Sequence, residues 1–420
     1  MTSGTSEACG PIAWQPTGFR HGLAHNRAAA APEAAFEDAL GPVLPAAGFA
    51  AAQAEIRQWP GYAPTPLVAL PGLAGRLGLG GLWYKDEASR FGLGSFKALG
   101  GAYAVFHHLA GLVEAATGRA PSAAEMIAGT HRALTGNVTV ATATDGNHGR
   151  SVAWGAQLFG CRCMVYLHAT VSHGREAAIR AYGAGLRRTA GNYDDSVRQC
   201  AADSAAEGWQ VISDTSYAGY SDVPRTVMLG YGVMAAELLE QLPAGLRPTH
   251  LFIQGGVGGL AAAVAATLWQ AYGPARPRVV VVEPENADCL HRSALAGRPT
   301  TVRGDLDTLM AGLAAGEVSL IAWDVLRQAA SDFMTIPDAA AIAAMRALAA
   351  GLDGDPRIVG GEAGVGGLAG LIAAAADAQS RAALGLDEGS VVLLVGSEGD
   401  TDPQLYRQLV GISGEAVRAA

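Results

Sequence analysis

The strongest constraint on this chain is a repeated succession of a short apolar, β-branched run, a glycine-bearing turn and a longer helical stretch. Residues 138–142 read as a strand and 147–158 as a helix. The alternation continues with 163–167 and 174–182, then a helix over 193–206 and a strand over 209–212. A helix over 226–241 leads to a strand at 250–253, a helix over 258–272 and strands at 279–282 and 390–395. Strands that are apolar on both faces must be covered on both faces, and alternation with helices makes them parallel. The fold class expected is therefore α/β, with open parallel or mixed sheets and helices on both faces. At 420 residues the chain exceeds one comfortable core, so two domains are expected. The first 60 residues read as irregular, apart from an alanine-rich helix over 32–39. A proline-stiffened extended entry follows at Pro64 and Pro66, then a strand over 82–85 and a long helix over 96–114.

Composition narrows the function. The net charge of −9 argues against nucleic acid as a partner, because phosphate binding needs a basic face. The 56 glycines suit many tight strand-to-helix turns. Five cysteines (Cys9, Cys161, Cys163, Cys200, Cys289) form no framework spacing and read as reduced core residues. Cys161 and Cys163 would share a face if both lay on a strand, but no second pair completes a metal site. The N-terminus shows no secretory pattern. The uncharged stretch 251–275 is broken by Gln254-Gly255-Gly256-Val257-Gly258-Gly259, which suits a buried strand, turn and helix rather than a membrane span. No membrane association is expected, and a cytoplasmic location is.

Ligands in open α/β sheets bind at the carboxyl ends of strands, and three glycine-centred turns fall there. Thr144-Asp145-Gly146-Asn147-His148 opens a helix and could hold a carboxylate on its N–H groups, or could simply cap that helix. Gly255-Gly256-Val257-Gly258-Gly259 is a phosphate cradle, since glycines let backbone N–H groups approach oxygens. It lacks the Gly-Lys-Ser/Thr of a Walker loop. Ser397-Glu398-Gly399-Asp400-Thr401-Asp402 follows the strongest late strand and carries a hydroxyl and three acids. Asp214 also sits just past a strand, where it could face the cleft or cap a turn. Lys97 stands between Phe96 and a small-residue helix start. Desolvation there would make its amine a usable nucleophile, as a carbonyl cofactor requires.

These pieces, in this order, resemble the pyridoxal-phosphate enzymes of the tryptophan synthase β-subunit and threonine dehydratase fold. Longer stretches are similar to the diaminopropionate ammonia-lyases among them. They are Lys85-Asp86-Glu87 with Arg90-Phe91-Gly92-Leu93, Ala143 to Gly149, Leu309 to Leu313 with Trp323-Asp324-Val325-Leu326, and Ser397 to Asp402. The aspartate before Gly-Asn-His-Gly is the most discriminating of these marks. The resemblance implies pyridoxal 5′-phosphate as cofactor, Lys97 as the Schiff-base lysine, and Asn147 at the cofactor's phenolic oxygen. It places the phosphate on Gly255, Gly256, Val257, Gly258 and Gly259, and Ser397 near the pyridine nitrogen. Asp145 and Asp214 match the active-site aspartates, and Thr144, Gly146 and His148 belong to the loop that takes the substrate carboxylate. It further implies a large cofactor-binding domain (1–100 and 215–420), a smaller substrate-side domain (101–214) inserted in it, and a homodimer.

Two departures stand out. Gly94-Ser95 replaces the Asn-Ala that precedes Phe-Lys in the family, and Ala315 stands where the family tends to carry a cysteine, which leaves Cys289 without an evident partner. The expected activity is β-elimination of ammonia from 2,3-diaminopropionate, giving pyruvate and two ammonia. A serine or threonine dehydratase or a β-replacing enzyme would use the same lysine. A non-catalytic binding protein of this fold would not need it.

Overall fold

The computed structural model describes residues 18–420 apart from residues 145, 170 and 192. Asp145 and Cys9 therefore lie outside the described residues. Eleven strands form two sheets: β1 (Gly22–His25), β2 (Leu67–Ala69), β3 (Gly81–Asp86), β4 (Thr139–Thr144), β5 (Arg162–Leu167), β6 (Gly185–Arg188), β7 (Gln210–Val211), β8 (His250–Gln254), β9 (Arg278–Pro284), β10 (Asp332–Ile336) and β11 (Val391–Gly396). The larger sheet has seven strands in the order β1-β10-β9-β8-β11-β3-β2, and the smaller has four in the order β6-β5-β4-β7. Every pairing is parallel except those of the two edge strands of the larger sheet, β1 and β2.

All five residues of β8 are buried, and the valine run of β9 lies beside it, as expected of strands covered on both faces. One face of the larger sheet packs on helices Asp338–Ala350 and Gly366–Ala376, through Met345, Leu348, Leu368 and Ile372. The opposite face packs on helices Asp222–Gln241 and Gly259–Tyr272. Its apolar cluster runs on without a break to Val140, Val152 and Val165 of the smaller sheet's surroundings. The two sheets thus share one core on that side. Among the described residues no helix is long and apolar enough to cross a membrane, and the 251–275 stretch is a buried strand, a turn and a buried helix.

The first 60 residues are more ordered than the sequence suggested. Strand β1 lies there, the helix expected over 32–39 is confined to Phe36–Ala39, and an eleven-residue helix, Ala46–Ile56, follows that the sequence did not mark. Alanine is helix-favouring everywhere, so it did not mark which segment packs. Packing marked it: Gly48 sits against Leu229, and a Cβ on Gly232 would lie 2.2 Å from the Phe49 ring. Helix Asp222–Gln241 begins a turn earlier than predicted, with Pro224 in its first turn, where the missing N–H costs nothing. Cys161 precedes β5 rather than sharing its face with buried Cys163. Both thiols are free, and burial pushes that of Cys161 up to about 12.

The Lys85–Arg90 segment builds a buried ionic network. Lys85, Glu87, Arg90 and Glu237 are each 1% exposed or less. Glu237 Oε2 accepts from Lys85 Nζ at 2.8 Å and Arg90 Nη2 at 2.7 Å, and Arg90 also pairs with Glu87 at 2.8 Å. The network fastens the segment leading to Lys97 onto helix Asp222–Gln241.

Candidate active site

Lys97 opens helix Lys97–Thr117. The strip before it is pinned to the exit of β11: the Phe96 N–H donates to Ser397 O at 2.9 Å, and the Gly399 N–H to Gly94 O at 3.0 Å. Ser95 pairs with Glu398 in an isolated antiparallel bridge. Gly94 has φ +76°, a left-handed conformation that glycine adopts freely and asparagine tolerates. The glycine here and the asparagine usual in the family therefore meet one backbone requirement.

Four strand ends converge on the lysine. Asp214 follows β7 by way of Ile212, whose N–H donates to Ala141 O at 2.8 Å. Its Oδ2 accepts from Lys97 Nζ at 2.5 Å. The Lys97 ammonium also lies over the rings of Phe96 (5.3 Å) and Tyr231 (5.8 Å). Burial alone would raise the Asp214 carboxyl, but Lys97 and then His148 hold it well below the usual carboxylate range. His148 Nε2 donates to Ile212 O at 2.9 Å, which turns Nδ1 toward Asp214 Oδ2 at 3.9 Å. His148 thus stands behind the aspartate.

The second end is β4. The Thr144 hydroxyl accepts from the N–H groups of Gly146 (3.0 Å) and Gly149 (3.1 Å), so it holds the turn shut and engages the Gly146 N–H. Asn147 begins helix Asn147–Phe159, and its Nδ2 donates to Glu398 Oε2 at 2.5 Å. The third end is β8, with the glycine loop. Gly256 (φ +62°) and Gly258 (φ +101°) are left-handed, and a Cβ on Gly255 would lie 2.8 Å from Glu283 Cγ. Helix Gly259–Tyr272 starts directly behind, and the Ser319 N–H holds Val257 O at 2.9 Å. The fourth end is β11, where Ser397 is buried and its carbonyl is fixed by Phe96.

The structure thus brings Lys97, Asp214, His148, Asn147 and Ser397 to one set of strand ends, beside the glycine loop. Sequence reasoning did not single out Tyr231, whose ring lies by the Lys97 ammonium, or Glu398, which holds Asn147; Arg175, paired with Glu362 at 3.1 Å, also escaped it. Tyr231 lies mid-helix and Glu362 in an unremarkable glycine-rich stretch, with no local mark of a site. Glu398 was visible only as one of three acids after a strand.

A family model described as "Pyridoxal-phosphate dependent enzyme" matches residues 58–397. The chain belongs to this family. It is 40% identical over 363 residues to the diaminopropionate ammonia-lyase of Escherichia coli strain K12, covering 85% of this chain and 89% of that one. The structure of the holo form of the Escherichia coli enzyme superposes with a TM-score of 0.85 at 35% identity, over 94% of this chain and 97% of that one. The same enzyme in complex with an aminoacrylate–pyridoxal phosphate azomethine reaction intermediate gives 0.82 at 36% identity, over 93% and 97%. The fold is that of the pyridoxal-phosphate enzymes, and pyridoxal 5′-phosphate is the cofactor. The residues present fit it. Lys97 offers a partly exposed amine, and the glycine loop is a cradle in which side chains would clash or strain the backbone.

Proposed function

We propose that this chain catalyses β-elimination of ammonia from 2,3-diaminopropionate, giving pyruvate and two ammonia. The observation that carries this is the Lys97–Asp214 pair, 2.5 Å apart, beside the glycine loop in a chain 40% identical to diaminopropionate ammonia-lyase. Pyridoxal phosphate supplies an electron-poor ring that accepts the electron pair left when the Cα proton departs. Gly255, Gly256, Val257, Gly258 and Gly259 hold the phosphate on backbone N–H groups and a helix start. Asn147, oriented by its hydrogen bond to Glu398, would hold the phenolic oxygen, and Ser397 would serve the ring nitrogen.

The Lys97 amine, when free and neutral, would take the Cα proton of the substrate. The substrate carboxylate rests on the loop of Thr144, Gly146 and His148, with Thr144 closing the loop and His148 backing Asp214. Asp214 is ionised while the Lys97 ammonium faces it. Once Lys97 is neutral that attraction is gone, burial dominates, and the carboxyl can carry the proton needed by the leaving amine. Asp145 is the second acid–base candidate, from the opposite face. Water then hydrolyses the released aminoacrylate to pyruvate and the second ammonia.

Residues 1–100 and 215–420 form the cofactor-binding domain in this scheme, with 101–214 as the inserted substrate-side domain. A homodimer in the cytoplasm is the expected setting. The test is the ammonia-to-pyruvate ratio with 2,3-diaminopropionate, serine and threonine side by side. Two ammonia per pyruvate and the fastest turnover on the diamino acid are expected. Faster turnover on serine would make the chain a dehydratase of the same fold.

A further inference from the structure

Two side chains that belong with the smaller sheet reach carboxylates that belong with the larger one. Asn147, at the start of helix Asn147–Phe159, donates to Glu398 Oε2 at 2.5 Å. Arg175, in helix His173–Arg180, donates to Glu362 Oε1 at 3.1 Å. The two acids are built as one unit. The Gly361 N–H donates to the Glu398 carbonyl at 2.9 Å and the Ala363 N–H to Glu398 Oε1 at 3.2 Å. Glycine at 361 lets the strips close up, since a Cβ there would lie 2.9 Å from Glu398 Cγ. On the other side the Arg175 stem lies across Gly146, where a Cβ would come within 3.2 Å of its Cδ. The turn before Asn147 is therefore covered by Arg175 and held from below through Asn147.

We propose that Glu362 and Glu398 form a two-point clamp that fixes the 144–147 turn over Lys97, with Arg175 and Asn147 as the groups clamped. Glu362, Glu398 and Arg175 are positioning residues: they hold the loop that receives the substrate carboxylate and the amide that meets the cofactor. The proposal rests on the ammonia-lyase reading of this site for its effect on substrate. Both acids are buried, at 1% and 5% exposure. Two adjacent buried carboxylates are costly unless cations and N–H donors face them. Here the cation and the side-chain amide both come from across the cleft, so opening it uncovers the acids' need for partners. Burial and then the charge of Glu398 push the Glu362 carboxyl up to about 8, with Arg175 pulling the other way. The planar amide of Asn147 gives one hydrogen to Glu398 and is thereby oriented, leaving the other for the cofactor.

The test uses the holoenzyme and the variants Glu362→Ala, Arg175→Gln, Arg175→Lys and Glu398→Gln. Glu362→Ala, which removes the acceptor, and Arg175→Gln should raise KM for 2,3-diaminopropionate about tenfold with kcat changed far less, since the loop is mispositioned but Lys97 is intact. Arg175→Lys should recover most of that loss. Glu398→Gln should shift the visible absorbance of the bound cofactor and weaken its binding, because Asn147 is no longer fixed. Without any substrate, amide hydrogen exchange in helix His173–Arg180 should quicken about threefold or more in Glu362→Ala and Arg175→Gln. Unchanged exchange in that helix overturns the clamp whatever the substrate proves to be. If the exchange changes but wild-type protein releases no ammonia from the diamino acid, the clamp stands and the substrate assignment fails.

Discussion

At the scale of the residue, Asp214 has two states set by its neighbour. Its charge is stabilised by the Lys97 ammonium at 2.5 Å and then by His148, against burial, so loss of the ammonium would move the carboxyl toward its proton-bearing form. Asp214→Asn keeps the shape and removes the titration. It should lower kcat about 10²- to 10⁴-fold with cofactor loading retained, measured separately on the L- and D-diamino acids. Gly94 makes a conformational prediction: Gly94→Ala, at φ +76°, should cost about 1–2 kcal/mol in thermal unfolding, and Gly94→Asn less. Glu362 makes a prediction in pH. Its folded-state pKa, about 8, lies above the ordinary value of 4.5, so folding favours its protonated form. Its contribution is most favourable below pH 4.5 and is lost as pH rises through about 8. The groups facing it are Arg175, Glu398 and Asp402. The Tm of Glu362→Gln relative to wild type should therefore be higher at pH 9 than at pH 5, measured by calorimetry at both. A Tm difference that does not move with pH would contradict the shift.

At the scale of the element, the β8 end shows why four glycines recur in five positions. Gly256 and Gly258 are needed for their dihedrals and Gly255 for space against Glu283 and Leu290. Glu283 is itself tied down, accepting from the N–H groups of Leu290 (3.0 Å) and His291 (2.7 Å) at the start of helix Cys289–Ala296. Cys289, a free and buried cysteine, has its thiol 3.6 Å from Gly256 O and is part of this packing. Gly258→Ala, forced to φ +101°, should cost about 1–3 kcal/mol of local strain and weaken cofactor binding roughly tenfold or more, read by titrating apoenzyme with pyridoxal phosphate. The fold of the lysine helix should survive, since its packing does not involve that loop's dihedrals.

At the scale of the whole molecule, two sheets with separate strand orders share a continuous apolar cluster and are also joined by polar contacts at their strand ends. Helix Asp222–Gln241 serves both ends of this arrangement. Tyr231 faces Phe96, with ring centroids 4.6 Å apart, and Glu237 neutralises Lys85 and Arg90. Glu237→Ala would leave two buried cations with Glu87 as their remaining carboxylate. It should destabilise the protein by about 3–5 kcal/mol, seen as a large fall in Tm or loss of soluble protein. Exposed pairs such as Arg57–Glu240 should each matter by about 1 kcal/mol or less.

The strand–turn–helix alternation was legible because period and glycine punctuation are local. Lys97, the glycine loop and the Asn147 turn stand out as candidates for the same reason, since each is a run of consecutive residues. Strands β6 and β10 and the helix Ala46–Ile56 were not legible. Two arginines stand in β6 and alanine is spread evenly along the chain, so neighbours rather than propensity decide those segments. The sequence by itself determined the fold class, because strand–turn–helix alternation depends on residues a few positions apart, and it marked Lys97 as the candidate lysine. Only the tertiary structure decided that Asp214 stands against that lysine, that His148 stands behind Asp214, and that Glu362 and Glu398 reach Arg175 and Asn147. Those pairs are separated by 117, 187 and 251 positions for Lys97–Asp214, Arg175–Glu362 and Asn147–Glu398. Charge interactions over a few ångströms depend on distance in space, and no local pattern in the chain records it.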